Sequence, residues 1–332
     1  MKNGRFIRTK GAFSDELGTD VIEGLRRQPG RFCLIASRSC PWSHRTLIVR
    51  ALKGLEKYVP LQVAGGPRVE GYAVNGGNPW LVPGTGLRIR HLHELYALND
   101  PRYSGRATVP LLWDSRECRI VGNESSAIMR AFDRADAADV DAFTLTPPEL
   151  RSEIATLNER LYENLFDAVY RAGFARHQAI YEEELERVFE VLEGLERCLV
   201  HRRYLFGTTV TDADWRLFPT LVRFDAVYYL HFKCARRRLV DFPNLWAYAR
   251  DLYAWRDVTD TVDFTAIREG YYGNDLDINP FGIVAVQPAT DWTAPHGRER
   301  FGSACLALVA GGEVAIDTAT LWPLSGDLSW KH

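Results

Sequence analysis

Cys40 is the residue of this sequence best placed to do chemistry. It follows an apolar, strand-like stretch at 31–36 and directly precedes an amphipathic, helix-like pattern. Pro41 occupies the first helical position, where its missing N–H costs nothing and its fixed φ suits a helix. The N-terminus of a helix presents unpaired N–H groups and a positive dipole end, which favour a thiolate. The pattern therefore predicts a redox or thiol-transfer nucleophile; the alternative is an inert cysteine that caps the helix.

The third position after Cys40 narrows that chemistry. A second cysteine there would resolve a mixed disulfide internally, but this chain has Ser43, and it contains no Cys-x-x-Cys pair. A lone nucleophile has to be released by an external thiol, which exchanges through the same sulfur. We therefore expect a small thiol as cosubstrate.

The composition indicates an ordinary globular protein with reduced thiols. The chain has 332 residues, 25% charged and 46% hydrophobic, with a formal net charge of -2, so no global field favours nucleic acid or a membrane surface. Residues 1–10 are polar and basic, and no stretch approaches the ~20 apolar residues of a membrane span. The six cysteines lack paired spacing. We expect a cytoplasmic protein of two domains, with Cys33 and Cys198 in its cores.

Residues 31–135 have the element order of a thioredoxin-like domain. A charged, irregular lead-in at 1–30 precedes it, and regular elements are not expected in the Gly- and Pro-rich span 65–87. The predicted elements are a strand at 31–36, a helix at 42–55, a strand at 59–63, a helix at 91–99, strands at 108–114 and 119–121, and a helix at 125–132. Pro110 begins an interior strand, where it cannot donate to the ladder, and a cis bond after Val109 would turn its backbone groups outward. In thioredoxin-like folds that cis bond faces the nucleophile.

Glu124 and Ser125 place a carboxylate and a hydroxyl at the start of the last helix of that domain. Together with the helix N–H groups, Ser125 can receive the carboxylate of a γ-glutamyl group, and Glu124 can receive its ammonium. The alternative is that Ser125 merely caps the helix and Glu124 is solvated. Beside Cys40 and Val109, we favour the binding role.

The second half of the chain predicts an all-helical domain. A linker at 136–149 leads to helical periodicity at 150–275, and a C-terminal extension at 276–332 includes a possible hairpin at 306–316. Thr211 and Asp214 form a capping box, so this aspartate is assigned to folding and not to acid catalysis. His91 and His93 alternate on a predicted helix and should not share a face, so no metal site is expected.

Several stretches of this sequence resemble the Xi-class, omega-like glutathione transferases, which are the glutathionyl-hydroquinone reductases. The similarity covers roughly residues 5 to 300. The stretches that carry it are Cys40 to Leu55, Asp100 to Arg106, Asn123 to Ser125, Val169 to Ala175, Leu221 to Tyr228, His231 to Cys234 and Ile278 to Val284. The resemblance implies a thioredoxin-like domain followed by an all-helical domain, in a homodimer.

The resemblance also implies an activity and the residues that serve it. Cys40 would attack the sulfur of a glutathionyl-hydroquinone, and a second glutathione would resolve the intermediate. The residues implied for glutathione are Tyr72, Val109, Glu124 and Ser125, and those implied for the aromatic acceptor are Tyr170, Tyr228, Tyr271 and Tyr272. Phenolic hydroxyls can hydrogen-bond a quinol oxygen, whereas the alternative for each tyrosine is packing in a helical core.

This chain departs from the family pattern at its thiol-binding end. Gly71-Tyr72 stands where the family usually has Gly-Trp, and Ser43, where alanine is usual, could hydrogen-bond the thiolate. Another low-molecular-weight thiol is therefore an alternative to glutathione. Alternative functions are a conjugating glutathione transferase or ligandin-like binder, a biosynthetic thiol transferase acting on a quinone-like or other small aromatic electrophile, and a non-catalytic scaffold.

Overall fold

The computed structural model describes residues 1, 3–8, 11–13, 15–135 and 142–309. The chain divides into two compact units, each built from separated stretches of sequence. The sheet unit comprises Arg8–Ala137 and Trp255–Pro288, and the helical unit comprises Met1–Ile7, Ala138–Ala254 and Ala289–His332. The sequence-derived domain limits remain proposals; among the described residues, the last helix before residue 275 belongs to the sheet unit.

The strands and helices alternate in the first half of the chain. The strands are β1 (Phe32–Ala36), β2 (Leu61–Gly65), β3 (Ala73–Val74), β4 (Trp80–Leu81), β5 (Arg88–Ile89), β6 (Leu111–Asp114), β7 (Arg119–Gly122), β8 (Phe143–Thr144) and β9 (Ala307–Leu308). The helices are α1 (Thr19–Arg27), α2 (Pro41–Leu52), α3 (Leu92–Asn99), α4 (Ser125–Asp133), α5 (Arg151–Leu161), α6 (Ala168–Gly173), α7 (Gln178–Cys198), α8 (Asp212–Arg223), α9 (Pro243–Tyr253) and α10 (Phe264–Tyr272).

The sheet of the sheet unit brings distant loops to one edge. Its strand order is β3-β2-β1-β6-β7, in which β1 and β2 are parallel and every other neighbouring pair is antiparallel. The ends of β1, β2 and β7 therefore meet the beginnings of β3 and β6 at the same edge. We call this the Cys40 edge, because Cys40 follows β1 there. This is the thioredoxin-like topology that the sequence predicts.

An ion pair closes the opposite edge of the sheet. The Arg31 guanidinium donates to both carboxylate oxygens of Asp114, at 2.7 to 3.2 Å, and Asp114 is fully buried. Burial alone would raise the pKa of the Asp114 carboxyl, but hydrogen bonds from Arg31 and from the N–H groups of Arg116 and Glu117 lower it. The starts of β1 and the ends of β6 are held together by this pair.

Two expectations from the sequence are wrong within the described residues. The lead-in contains α1, because Val21, Ile22 and Leu25 share one helical face and are buried. The span 65–87 contains the short strands β3 and β4, which pair with β2 and β5 in spite of the surrounding glycines.

The helical unit consists of α5 to α9 with two π-helical turns, at Tyr162–Phe166 and Phe224–Tyr228. The capping box at the start of α8 is confirmed: the N–H and the hydroxyl of Thr211 both donate to Asp214, at 2.8 and 2.9 Å. Asp214 also accepts from Leu205 N–H and from the Tyr248 hydroxyl. Burial raises the pKa of this carboxyl, and its contacts are those of a folding residue.

Arg298 fastens the C-terminal stretch to the helical unit. Its guanidinium is 1% exposed and donates to the backbone carbonyls of Leu199 (3.1 Å), Arg203 (3.0 Å), Asn244 (3.3 Å) and Arg202. Burial lowers the pKa of Arg298 to about 10. The guanidinium thereby supplies hydrogen-bond donors to four backbone carbonyls.

Residues 310–316 of the predicted hairpin at 306–316 lie outside the described residues. Its described part includes β9, which pairs with β8. In the part of the chain that the structure describes, no helix has the length and apolar character needed to cross a bilayer.

Candidate active site

The topology of the sheet collects the proposed thiol-binding residues. Cys40 follows β1, Tyr72 precedes β3, Val109 precedes β6, and Glu124 and Ser125 follow β7. All five therefore lie at the Cys40 edge, although 85 residues separate the first from the last in the sequence (125 − 40). Across the edge their order is Tyr72, Cys40, Val109 and then the Glu124–Ser125 pair.

Cys40 is the N-cap residue of α2, and 8% of it is exposed. Its Sγ lies 3.7 Å from the Val109 carbonyl oxygen. The Val109–Pro110 bond is cis, as the sequence predicts. The Ser43 hydroxyl accepts from the N–H of Ser37 at 3.2 Å, so it stabilises the loop that carries Cys40, and no hydrogen bond between it and the thiol is found among the described residues.

Glu124, and not Ser125, caps α4. One carboxylate oxygen of Glu124, Oε1, accepts from the N–H of Ser126 at 3.3 Å and from the hydroxyls of Ser125 and Ser126 at 3.4 Å. Ser125 is the first helical residue and is buried. The negative carboxylate of Glu124 and the first N–H groups of α4, at the positive end of the helix dipole, thus lie together after the end of β7. Such a pair of opposite charges suits a zwitterion.

Tyr72 lies under a guanidinium. The Arg68 Cζ is 4.6 Å from the centroid of the Tyr72 ring, within the range of a cation–π contact. Burial and the charge of nearby Cys40 raise the pKa of Tyr72, so its hydroxyl stays a hydrogen-bond donor at neutral pH. Burial would lower the pKa of Arg68, but Tyr72, Asp275, Cys40 and Tyr271 together raise it. These groups therefore share one electrostatic environment.

Tyr271 and Tyr272 end α10, inside the sheet unit, and are 6% and 5% exposed. Burial raises the pKa of Tyr272. The Asn279 side chain donates to the Tyr272 carbonyl at 2.7 Å, which ties the end of α10 to the segment that follows. Because its pKa is raised, the Tyr272 phenol stays protonated at neutral pH.

Tyr170 and Tyr228 lie together in the helical unit, with ring centroids 6.0 Å apart. Phe232 contacts both rings, at 5.1 Å from Tyr170 and stacked at 5.5 Å on Tyr228. Each tyrosine lies at or near a π-helical turn, an irregularity that redirects side chains and often occurs at functional sites. Tyr228 is only 1% exposed, so its ring serves the core of this unit at least as much as any ligand.

Comparison with known proteins identifies the family. The family models "Glutathione S-transferase, N-terminal domain" and "Glutathione S-transferase, C-terminal domain" match residues 39–135 and 178–251. The chain is 42% identical to glutathionyl-hydroquinone reductase YqjG of Escherichia coli, over 90% of this chain and 94% of that protein. It belongs to the glutathionyl-hydroquinone reductase family of glutathione transferases.

Further relatives agree with this family. Glutathionyl-hydroquinone reductase PcpF of Sphingobium chlorophenolicum is 42% identical, over 86% of this chain and 90% of that protein. The glutathione-bound structure of YqjG superposes with a TM-score of 0.77 at 43% identity, covering 82% of this chain and 89% of that one. Glutathione transferase Xi from Phanerochaete chrysosporium gives a TM-score of 0.81 at 37% identity, with 89% and 96% covered.

The position of α10 beside the loop of the nucleophile is not predicted by the sequence. A cavity of about 390 Å³ in the sheet unit is lined by the loop before Cys40, the stretch after β2 and one face of α10, including Ser39, Pro67, Arg68 and Gly270. The only sequence signal for α10 is a helical pattern, and more than 190 residues separate it from the other walls. The helix α10 is thus a third wall of this cavity, beside the loop before Cys40 and the stretch after β2.

No group of three metal-ligating side chains occurs among the residues that the structure describes. The rings of His91 and His93 stack at 5.8 Å, although the sequence analysis places them on different faces. The reason is that His91 is the N-cap of α3 and precedes its first turn, so helical spacing does not apply to it.

Proposed function

We propose that this chain is a glutathione-dependent reductase that removes glutathione from glutathionyl-hydroquinones, with Cys40 as the covalent nucleophile. The observation that carries the proposal is the Cys40 thiol at the start of α2, 3.7 Å from the Val109 carbonyl oxygen. Two strands away, after β7, the Glu124 carboxylate lies at the N-terminus of α4. Both relatives quoted above are named as enzymes of this activity.

The spacing of the Cys40 edge suits a γ-glutamyl tripeptide. Strand β7 is two strand spacings from β1, about 10 Å, and an extended tripeptide spans at most roughly 10 Å. A tripeptide lying across the start of β6 can therefore pair its backbone with Val109 while its sulfur reaches Cys40. Its ammonium would meet Glu124, and its carboxylate would meet Ser125 and the N–H groups of α4. Tyr72 would bound the thiol on the opposite side.

The reaction consists of two exchanges at sulfur. The Cys40 thiolate attacks the sulfur of the aryl thioether, the bond between sulfur and aryl carbon breaks, and the carbon leaves with the electron pair and takes a proton. The thiolate of a second glutathione then attacks the mixed disulfide and releases Cys40 with glutathione disulfide. The aryl carbon is reduced, while the thioether sulfur of the substrate and the thiol sulfur of the second glutathione are oxidised to a disulfide, so no further oxidant or reductant is needed.

The phenols are proposed to serve the aromatic acceptor. Tyr170, Tyr228, Tyr271 and Tyr272 are each candidates to donate a hydrogen bond to a quinol oxygen while negative charge develops on the ring. The raised pKa of Tyr272 supports this role, because a donor has to stay protonated.

The test is to replace the nucleophile. Cys40→Ala should abolish release of hydroquinone from a glutathionyl-hydroquinone and should leave glutathione binding within a few-fold. Incubation of the unchanged protein with glutathione disulfide should add one glutathione at Cys40 by peptide mass spectrometry. Cys118→Ser is the matched control, because Cys118 is a partly exposed thiol in the turn at the opposite edge of the sheet.

Two outcomes would reject the reductase. Retained turnover in Cys40→Ala would remove Cys40 from the mechanism. Conjugation of quinones without any adduct on Cys40 would favour a conjugating transferase, which only stabilises the thiolate of glutathione itself. An adduct of different mass in protein purified without reductant would identify another thiol as the cosubstrate.

We also propose a cytoplasmic homodimer. Support for the second copy comes from large apolar side chains left in solvent: Val69, Phe281 and Val286 are 91%, 87% and 87% exposed, and association would remove such surface from water. Support for the location comes from the free cysteines. Light scattering should give twice the chain mass, and Phe281→Ser with Val286→Ser should shift it toward one copy; a monomer in the unchanged protein would contradict the proposal.

A further inference from the structure

Gly270 lies against the residue that precedes the nucleophile. A Cβ placed on Gly270 would stand 2.2 Å from the Cβ of Ser39 and 2.5 Å from its Oγ, distances that real atoms do not adopt. Both residues belong to the sheet unit, and Ser39 is 5% exposed. The helix α10 therefore approaches the loop between β1 and α2 as closely as it does only because position 270 has no side chain.

Two further contacts hold α10 in this place. Arg68 donates to the Gly270 carbonyl through its side chain at 3.3 Å, and its backbone N–H donates to the Asn274 side chain at 2.6 Å. Asn274 in turn donates to the Gly270 carbonyl at 3.1 Å. The same arginine covers the Tyr72 ring. Gly270 is thus fixed between the loop of Cys40 and the stretch that carries Tyr72.

The segment before α10 contacts α2 on the C-terminal side of Cys40. Thr261 donates its hydroxyl to the Val258 carbonyl at 2.6 Å, so it accepts from His44 Nε2 at 2.8 Å. His44 is buried one turn into α2, and its N–H donates to the Cys40 carbonyl. Residues 258–274 therefore contact the nucleophile's surroundings both at Ser39 before it and at His44 after it.

We infer that Gly270 is a positioning residue for Cys40: the close packing of α10 on Ser39 sets the position of the Cys40 thiol relative to the Val109 carbonyl. This inference rests on the proposed function. A methyl group at position 270 has to displace either α10 or Ser39, and Ser39 is bonded directly to Cys40. A displacement of about 1 Å at a reacting atom can reduce a rate by roughly 100-fold, whereas we expect the residues that hold glutathione at the start of β6 and after the end of β7 to stay in place.

The experiment compares Gly270→Ala with variants that restore the space. In Ser39→Gly, the nearest atom to the added methyl becomes the Ser39 Cα at 3.7 Å, an ordinary contact. In Ser39→Ala, the Cβ at 2.2 Å remains. Both changes remove the hydroxyl that contacts Ser37 Oγ at 3.0 Å. They differ in the Cβ and in the backbone freedom of glycine, and Ser39→Gly alone measures the second effect. Gly18→Ala is the control, because its added methyl has nothing within 4 Å.

The expected result is a split between turnover and binding. Gly270→Ala should lower kcat about tenfold or more while KM for glutathione changes less than about twofold. Adding Ser39→Gly should return kcat to that of Ser39→Gly alone, and adding Ser39→Ala should not. The rate at which glutathione disulfide modifies Cys40, measured by peptide mass, should follow kcat through the series.

The inference is overturned if Gly270→Ala matches Gly18→Ala in kcat and in the modification rate. It is also overturned if Ser39→Ala rescues as well as Ser39→Gly, because the lost space would then not be the cause. Failure of the unchanged protein to release hydroquinone would reject the proposed reaction only, since the modification rates of Cys40 would still compare the positions of the thiol.

Discussion

Replacing Glu124 by glutamine separates two roles of one carboxylate. The residue caps α4 through Oε1, which accepts from the Ser126 N–H, and in our proposal it also binds the ammonium of glutathione. Glutamine keeps an oxygen for the cap and removes the charge. A hydrogen bond between charged groups contributes about 1.5–3 kcal/mol. Because the Glu124 residue is only partly buried, we expect the loss near the lower end of that range. Glu124→Gln should therefore weaken glutathione binding about 10- to 30-fold.

Calorimetric titration with glutathione and thermal unfolding of the free protein measure the two roles. Glu124→Ala should weaken binding at least as much and should also lose about 1 kcal/mol of stability with the cap, whereas Glu124→Gln should unfold near the unchanged midpoint. Glu117→Gln removes the same charge from an exposed turn at the opposite edge of the sheet and should alter neither. Equal affinities for Glu124→Gln and Glu117→Gln would refute the assignment of the ammonium site.

Three further outcomes follow from buried charges and from the tyrosine beside the thiol. The lowered pKa of Asp114 means that its pair with Arg31 contributes fully above pH ~4 and is lost as the pH falls through the depressed value. Asp114→Asn should cost about 3–5 kcal/mol at pH 7 and flatten the acid limb of thermal stability; an unchanged limb would contradict this. Arg298→Ala should lower the free energy of unfolding in urea by about 3 kcal/mol, with partial recovery in Arg298→Lys. Equal midpoints for all three proteins would exclude a stabilising role of the hydrogen bonds from Arg298. Tyr72→Phe keeps the ring under Arg68 and should lower kcat/KM about tenfold if the hydroxyl donates to substrate. Unchanged kinetics would show that the hydroxyl has no role and that only the ring contributes.

The parts of the fold predicted from the sequence are those with local signals. The apolar run of β1, the proline after Cys40 and the proline of β6 each restrict the backbone where they stand, and the structure confirms the strand, the helix start and the cis bond. The capping box at Thr211 is equally local. The helix α1 had a signal as well, in the spacing of its buried face, but the many charges around it obscured that pattern.

The parts not predicted depend on contacts between distant stretches. Nothing in the sequence around Gly270 distinguishes a glycine required for close packing from one in an ordinary helix, because the reason lies in Ser39, more than 200 positions away. The hydrogen bonds of Arg68 with Gly270 and Asn274 likewise join residues that are 202 and 206 positions apart. Side-chain roles for the four acceptor tyrosines remain predictions.

The unit that bears Cys40 is assembled from two separate stretches of chain, Arg8–Ala137 and Trp255–Pro288. Exchange of the thiol-binding half between members of this family therefore cannot be made with a single crossover. A chimera joined once near residue 137 would combine a sheet from one parent with an α10 from the other, and every pair of residues that touch there would have to match by chance. Two crossovers, with the second before residue 255, keep both stretches from the same parent.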